Sequence, residues 1–214
     1  MFLMRIGIKT EREVRQQGFK IIAGCDEAGR GPLAGPVVCA SVILPDKFRP
    51  NGIIDSKLLS EDKREELYSY IIEKSLSYQV VAVDRDVIDQ INILQASLLG
   101  MRLAVENLEI QPEFVLVDGK QSIPDLFLPQ RAVIKGDRKS VAIAAASILA
   151  KVSRDRIMKR LDRIYPQYKF AQNKGYPTRA HKEAIMKFGP SEYHRRSFKF
   201  IGQARGIQEQ FIFD

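Results

Sequence analysis

Apolar residues fall along this chain in two rhythms. Continuous apolar and β-branched runs at 20–25 (KIIAGC) and 37–44 (VVCASVIL) predict buried strands. The glycine- and proline-rich stretch GRGPLAGP between them predicts a wide loop. Residues 78–83, 113–117 and 132–135 predict three more strands. Elsewhere apolar positions recur at helical spacing. Leu67, Tyr68, Ile71 and Ile72 follow Ser60, which suits an N-cap, and Glu61 and Asp62, which suit the positive helix end. Ile88, Ile91, Leu94, Leu98, Met101 and Val105 form one stripe of a helix that runs to about Leu108. Residues 5–17 predict a short polar helix. Residues 140–165 predict an alanine-rich helix stopped by Pro166, and residues 178–188 a last helix ending at Gly189.

This order predicts an α/β fold, a mixed five-stranded sheet flanked by helices. The first three strands would pair antiparallel and the last two would join in parallel. Residues 1–165 would form this core, and residues 166–214 a small C-terminal helical appendage packed on it. The chain has 214 residues, 45% of them hydrophobic, which is enough for a sizeable core. Cys25 and Cys39 are the only cysteines, so a disulfide scaffold and a CxxC zinc site are excluded. No apolar run approaches a membrane span, and the apolar start MFLM is too short for a signal peptide. The expectation is a cytoplasmic monomer without membrane contact. Lys and Arg number 34 against 26 Asp and Glu, a net charge of +8 that favours a polyanionic partner.

Candidate chemistry lies in the acids. Asp26 and Glu27 end the first predicted strand and Asp118 ends the fourth, each just before a glycine-containing loop. Asp155 lies in the alanine-rich helix, where Ser147, Lys151 and Asp155 at i, i+4 and i+8 share a face. Ala144, Ala145, Ala146 and Ala150 are small enough to let that helix approach the sheet. Ligands commonly bind at strand ends of such sheets. Four carboxylates gathered there would repel one another unless a cation held them, and oxygen-only ligands select Mg²⁺ or Mn²⁺. Adjacent strand residues point to opposite faces, so Asp26 and Glu27 share a site only if the strand breaks at AGRG. Basic residues surround these elements: Lys57, then Lys135, Arg138 and Lys139, Lys174 beside Tyr176, and Arg195 with Arg196. Such clusters can track a phosphate backbone. There is no GxSxG elbow, and His181 and His194 read as structural or phosphate-adjacent.

Several ordered blocks carry a family resemblance. GCDEAGRGPLAGPVVCASVIL resembles the opening of ribonuclease HII, the prokaryotic type 2 ribonuclease H. DSKLL, VDGK, KGDRKSVAIAAASILAKVSRDR, YPQYKFAQNKGYPTRAHKEAI and FGPSEYHRRSF resemble its later blocks, from about Ile21 to Phe198. The resemblance implies an RNase H-like fold and two-metal cleavage of RNA in RNA–DNA hybrids. It further implies cutting 5′ of ribonucleotides embedded in DNA, leaving a 3′-hydroxyl and a 5′-phosphate. It assigns Asp26, Glu27, Asp118 and Asp155 to the catalytic metal ligands. Gly29, Arg30 and Gly31 match the loop that senses the ribose 2′-hydroxyl, Tyr176 the tyrosine beside the junction sugar, and Lys57 a phosphate-contacting lysine. Ser147 and Lys151 join them as substrate-binding candidates. Lys169, Asn173 and Pro177 depart from the family's usual glycine, histidine and glycine.

Two rival functions fit parts of this pattern. A nucleic-acid-binding protein without catalysis needs the basic clusters but not the acids. A DNA strand-transfer enzyme on the same fold uses clustered carboxylates but not the GRG loop. The tail GIQEQFIFD also has two readings: packing on the protein's own surface, or a contact with a replication sliding clamp through Phe211, Ile212 and Phe213.

Overall fold

The computed structural model describes residues 9–53 and 56–204. A five-stranded sheet has the order β3-β2-β1-β4-β5, with β1 Ile22–Ala28, β2 Val37–Ile43, β3 Ser77–Val83, β4 Phe114–Asp118 and β5 Gln130–Val133. The strands β1, β2 and β3 pair antiparallel, and β4 and β5 join in parallel.

Every residue of β2 is buried, because both faces of the sheet are covered. On one face Val37 and Cys39 pack with Ile88, Met101 and Val105 of helix α3, Arg85–Glu106. On the other, Ala40 and Val42 pack with Leu67 and Ile71 of α2, Glu61–Lys74, and with the alanine run of α4, Val141–Ile164. That run serves the close approach expected of it. A Cβ on Gly24 of β1 would stand 2.3 Å from the carbonyl carbon of Ala142. Polar caps set the helix starts: Ser60 accepts from the Lys63 N–H and Ser140 from the Ile143 N–H.

A third apolar cluster joins Leu33, Ala34, Met158 and Leu161 to Tyr168, Phe170, Ile185 and Ile201. Phe170 lies in a one-turn helix, α5 Phe170–Asn173, and Ile185 in α6, Arg179–Phe188. Among the described residues no helix is long and apolar enough to cross a membrane.

The expected long helix is broken. Asn92 has φ 66° and ψ 165°, and its Oδ1 accepts the N–H groups of Leu94 and Gln95 at 3.0 and 3.1 Å. It therefore caps a second helical segment, and Ile91 leaves the buried stripe to stand 37% exposed. The strand expected to stop at the acids also differs. β1 runs on through Ala28, with Asp26 opposite Ala40 and Glu27 opposite Cys39.

Candidate active site

The break that frees the acids lies in the neighbouring strand. β1 pairs with β4 only as far as Cys25–Val117, and β4 ends at Asp118. Beyond that point the β4 side of β1 is unpaired, while its other edge stays on β2. Asp26 shares the Gly24 face towards α4, and Glu27 shares the Cys25 face. Both line one cleft of about 230 Å³ with Gly29, Arg30, Gly31, Ser56, Asp118, Ser147, Lys151, Arg154 and Tyr176.

Burial and mutual repulsion disfavour the charged forms of Asp26 and Glu27. Burial pushes the Asp26 carboxyl well above its ordinary range, and the charges of Glu27 and Asp118 push it further. The Glu27 N–H, 2.7 Å from Asp26 Oδ1, and the Ser147 hydroxyl offset part of this. Burial also raises Glu27, against the pull of Arg30, whose Nη1 stands 3.3 Å from Glu27 Oε1. Asp118 accepts the Gly136 N–H at 2.6 Å. Among the described residues no three His, Cys, Asp or Glu side chains stand as a ready-made metal sphere. The fit to a metal therefore rests on donor chemistry: carboxylates offering oxygen atoms alone, with Asp26 and Glu27 destabilised in their charged form, suit a hard divalent cation.

Neither Asp155 nor Asp137 is among the residues that line this cleft. Asp155 lies on the expected face of α4, but Lys151 Nζ stands 2.7 Å from its Oδ1 and Arg64 Nη2 4.0 Å from its Oδ2. A further acid is tied to Asp118 through its neighbour in the chain. Asp137, 7% exposed, follows Gly136 in the turn that binds Asp118. Within KGDRKS it reads as part of a basic loop. Its signal was the adjoining glycine, which lets the turn come close: a Cβ on Gly136 would stand 3.0 Å from Asp118 Oδ1.

The loop after β1 is held by two buried arginines. Arg195 donates to the carbonyls of Gly29, Arg30, Pro32 and Gly35 at 2.7 to 3.1 Å. Arg154 donates to those of Ala34, Pro36 and Lys174 at 2.8 to 3.1 Å. Arg195 is fully buried, so the expectation that it tracks phosphate is corrected: its donors are spent on backbone. Gly29 has φ 103°, and a Cβ there would stand 2.0 Å from Arg154 Nε, so this position takes glycine alone. Tyr176 is 44% exposed, and its Cε1 lies 3.4 Å from where a Gly31 Cβ would be. Lys57 has its backbone in the short turn Ser56–Leu58, and its side chain lies outside the described residues, as does the tail with Phe211, Ile212 and Phe213.

A buried acid cluster at the strand edge of a mixed sheet, beside a backbone loop and a half-exposed tyrosine, defines a nuclease-type site on an RNase H-like fold. The model of the family Ribonuclease HII matches residues 23–201. Ribonuclease HII of Syntrophus aciditrophicus is 56% identical over 205 residues, covering 95% of this chain and 96% of that one. The crystal structure of ribonuclease H2 from Pyrococcus horikoshii superposes with a TM-score of 0.74 at 30% identity, covering 91% of this chain and all of that one. Ribonuclease HII of Archaeoglobus fulgidus, solved in complex with PCNA, gives 0.68 at 30% identity over 84% of this chain and 95% of that one. The chain belongs to the ribonuclease HII family and is a metal-dependent ribonuclease of the H type.

Proposed function

We propose that this chain hydrolyses the RNA strand of RNA–DNA hybrids and cuts 5′ of ribonucleotides embedded in duplex DNA, leaving a 3′-hydroxyl and a 5′-phosphate. The observation that carries this reading is the single cleft shared by Asp26, Glu27, Asp118, the Gly29–Gly31 loop and Tyr176. Asp26, Glu27 and Asp118 would hold two divalent ions, Mg²⁺ or Mn²⁺. Such ions supply an activated water and relief of charge on the departing oxygen. Asp137 is the fourth ligand in this reading, because it belongs to the turn fixed to Asp118. Asp155 then acts indirectly, through the Lys151 ammonium at the cleft wall.

The 2′-hydroxyl separates RNA from DNA, and it is both donor and acceptor. The loop offers close backbone approach at Gly29 and Gly31, and the Tyr176 ring offers a stacking face and a hydroxyl. Ser147 and Lys151 of α4 stand on the same wall to meet the scissile strand, and Lys57 fits a phosphate contact. The reading places the enzyme in removal of ribonucleotides from DNA, in the cytoplasm, as a monomer. A sliding-clamp contact through residues 208–214 belongs to it on the tail's sequence, and the Archaeoglobus fulgidus relative is in complex with PCNA.

Comparison of three duplexes tests the function: all-DNA, RNA–DNA hybrid, and DNA with one ribonucleotide, each in Mg²⁺ and in Mn²⁺. Cleavage of the second and third but not the first is expected. Cleavage of the all-DNA duplex at a similar rate would favour the strand-transfer class instead.

A further inference from the structure

His181 and His194 are the chain's two histidines, and both are fully buried. Their Nε2 atoms stand 3.1 Å apart. His194 Nδ1 accepts the Ser191 N–H at 2.9 Å, so in the neutral ring its proton sits on Nε2. That N–H donates to His181 Nε2, which must then be bare. The His181 proton is therefore on Nδ1, where it donates to the Tyr176 carbonyl at 2.8 Å. The rings of Tyr168 and Phe170 enclose the pair, with Tyr168 4.9 Å from His194 and Phe170 5.4 Å from His181. One anchored N–H at Ser191 thus fixes both tautomers and ends on the residue that carries the half-exposed ring.

The other end of this chain of bonds reaches the loop. His194 bridges Ala34, and the Tyr193 carbonyl accepts the Gly35 N–H at 2.9 Å. Its neighbour Arg195 gathers the carbonyls of Gly29, Arg30 and Pro32. Residues 193–195 thus grip the Gly29–Gly31 loop with one hand and the Tyr176 backbone with the other.

We propose that His181 and His194 are positioning residues for ribonucleotide recognition, a proton-ordered pair that sets the gap between the Tyr176 ring and the Gly29–Gly31 loop. This rests on the reading that this ring and loop recognise the sugar. The pair works in its neutral form, since a second proton would set two N–H groups against each other. Burial keeps it so, holding both rings below their ordinary range, and His181 adds to the depression of His194.

The test has two arms. Imidazole ¹⁵N shifts of the wild-type protein should show a protonated Nδ1 on His181 and a protonated Nε2 on His194. The opposite tautomer on either ring would overturn the proposal without any variant. In the second arm, cleavage of the single-ribonucleotide duplex is divided by cleavage of the long hybrid. His194→Phe keeps the ring against Tyr168 but removes both nitrogens, and should lower this ratio about tenfold, the scale of one lost stacking contact. His194→Gln restores a terminal N–H donor and should recover most of it. Added to Tyr176→Ala, His194→Phe should lower the ratio no further. If Tyr176→Ala lowers the ratio and His194→Phe does not, the positioning role is wrong. If Tyr176→Ala itself leaves the ratio unchanged, the underlying reading of the ring fails and the proposal falls with it. Should His194→Phe not fold, His181→Leu against His181→Asn repeats the comparison, since Asn keeps a donor for the Tyr176 carbonyl.

Discussion

Asp118 Oδ1 accepts the backbone N–H of Gly136 at 2.6 Å, so the end of β4 and the turn before α4 are one unit. That bond puts the Asp137 turn beside the strand-end acid of β4. Asp137→Asn should therefore abolish cleavage while leaving duplex binding largely intact, as should Asp26→Asn. Asp155→Asn should retain measurable cleavage. Single-turnover rates at saturating Mg²⁺ check this, and equal losses at 137 and 155 would return Asp155 to the metal.

The reach of α4 to the sheet depends on Gly24. A Cβ there would meet the backbone of Ala142 and Ile143 at 2.3 and 2.4 Å, where neither a rotamer change nor a flexible side chain can give way. Gly24→Ala should cost about 3 kcal/mol of stability, the upper part of the overpacking range. Urea unfolding measures it; a loss below about 1 kcal/mol would mean the helix shifts freely.

Helix α1, Lys9–Gln16, precedes the region matched to the family, yet it holds the segment that leads from the Gly136 turn into α4. Glu11 Oε1 accepts from the Ser140 hydroxyl at 2.6 Å and from the Ala142 N–H at 3.1 Å, and the Thr10 hydroxyl donates to the Lys139 carbonyl at 3.1 Å. Glu11→Ala leaves these donors buried, which should cost about 2 kcal/mol. The melting temperature checks it.

Asp26 and Glu27 both have raised folded pKa values, against ordinary values of 3.8 and 4.5. Without divalent ion, their contribution is intact below about pH 4 and is lost as pH rises through the folded values. The EDTA-treated protein should lose melting temperature over that rise, and Mg²⁺ should restore it. Asp26→Asn should melt higher than wild type in EDTA at neutral pH. His194 works on the acid side. Its folded pKa is pushed down to about 3, so the unfolded chain takes up a proton below its ordinary 6.5 while the folded one does not. Stability should fall between those values by about 5 kcal/mol at most. His194→Gln should flatten that limb.

Much of this architecture was legible from pattern. Continuous apolar runs marked β1 and β2, and Ser60 marked a helix start by its side-chain oxygen. Three features were not legible, for physical reasons. Asn92 falls inside a helical stripe, and nothing local tells a surface amide from one that caps a second segment. Arg195 looks like a surface cation, because the carbonyls that satisfy it come from a loop some 160 residues away. The spacing of Ser147, Lys151 and Asp155 predicted a shared face correctly, but spacing does not say that the ammonium takes the carboxylate first.

The central claim is that the acid cluster cuts at a sugar read by the Gly29–Gly31 loop and Tyr176. Mapping the cut on an end-labelled duplex with one ribonucleotide tests it most directly. The account predicts one metal-dependent cut 5′ of the ribonucleotide, with a 3′-hydroxyl on one fragment and a 5′-phosphate on the other, lost in Asp26→Asn and strongly reduced in Tyr176→Ala. A cut on the 3′ side, a cyclic phosphate end, or an undiminished rate in Asp26→Asn would contradict it.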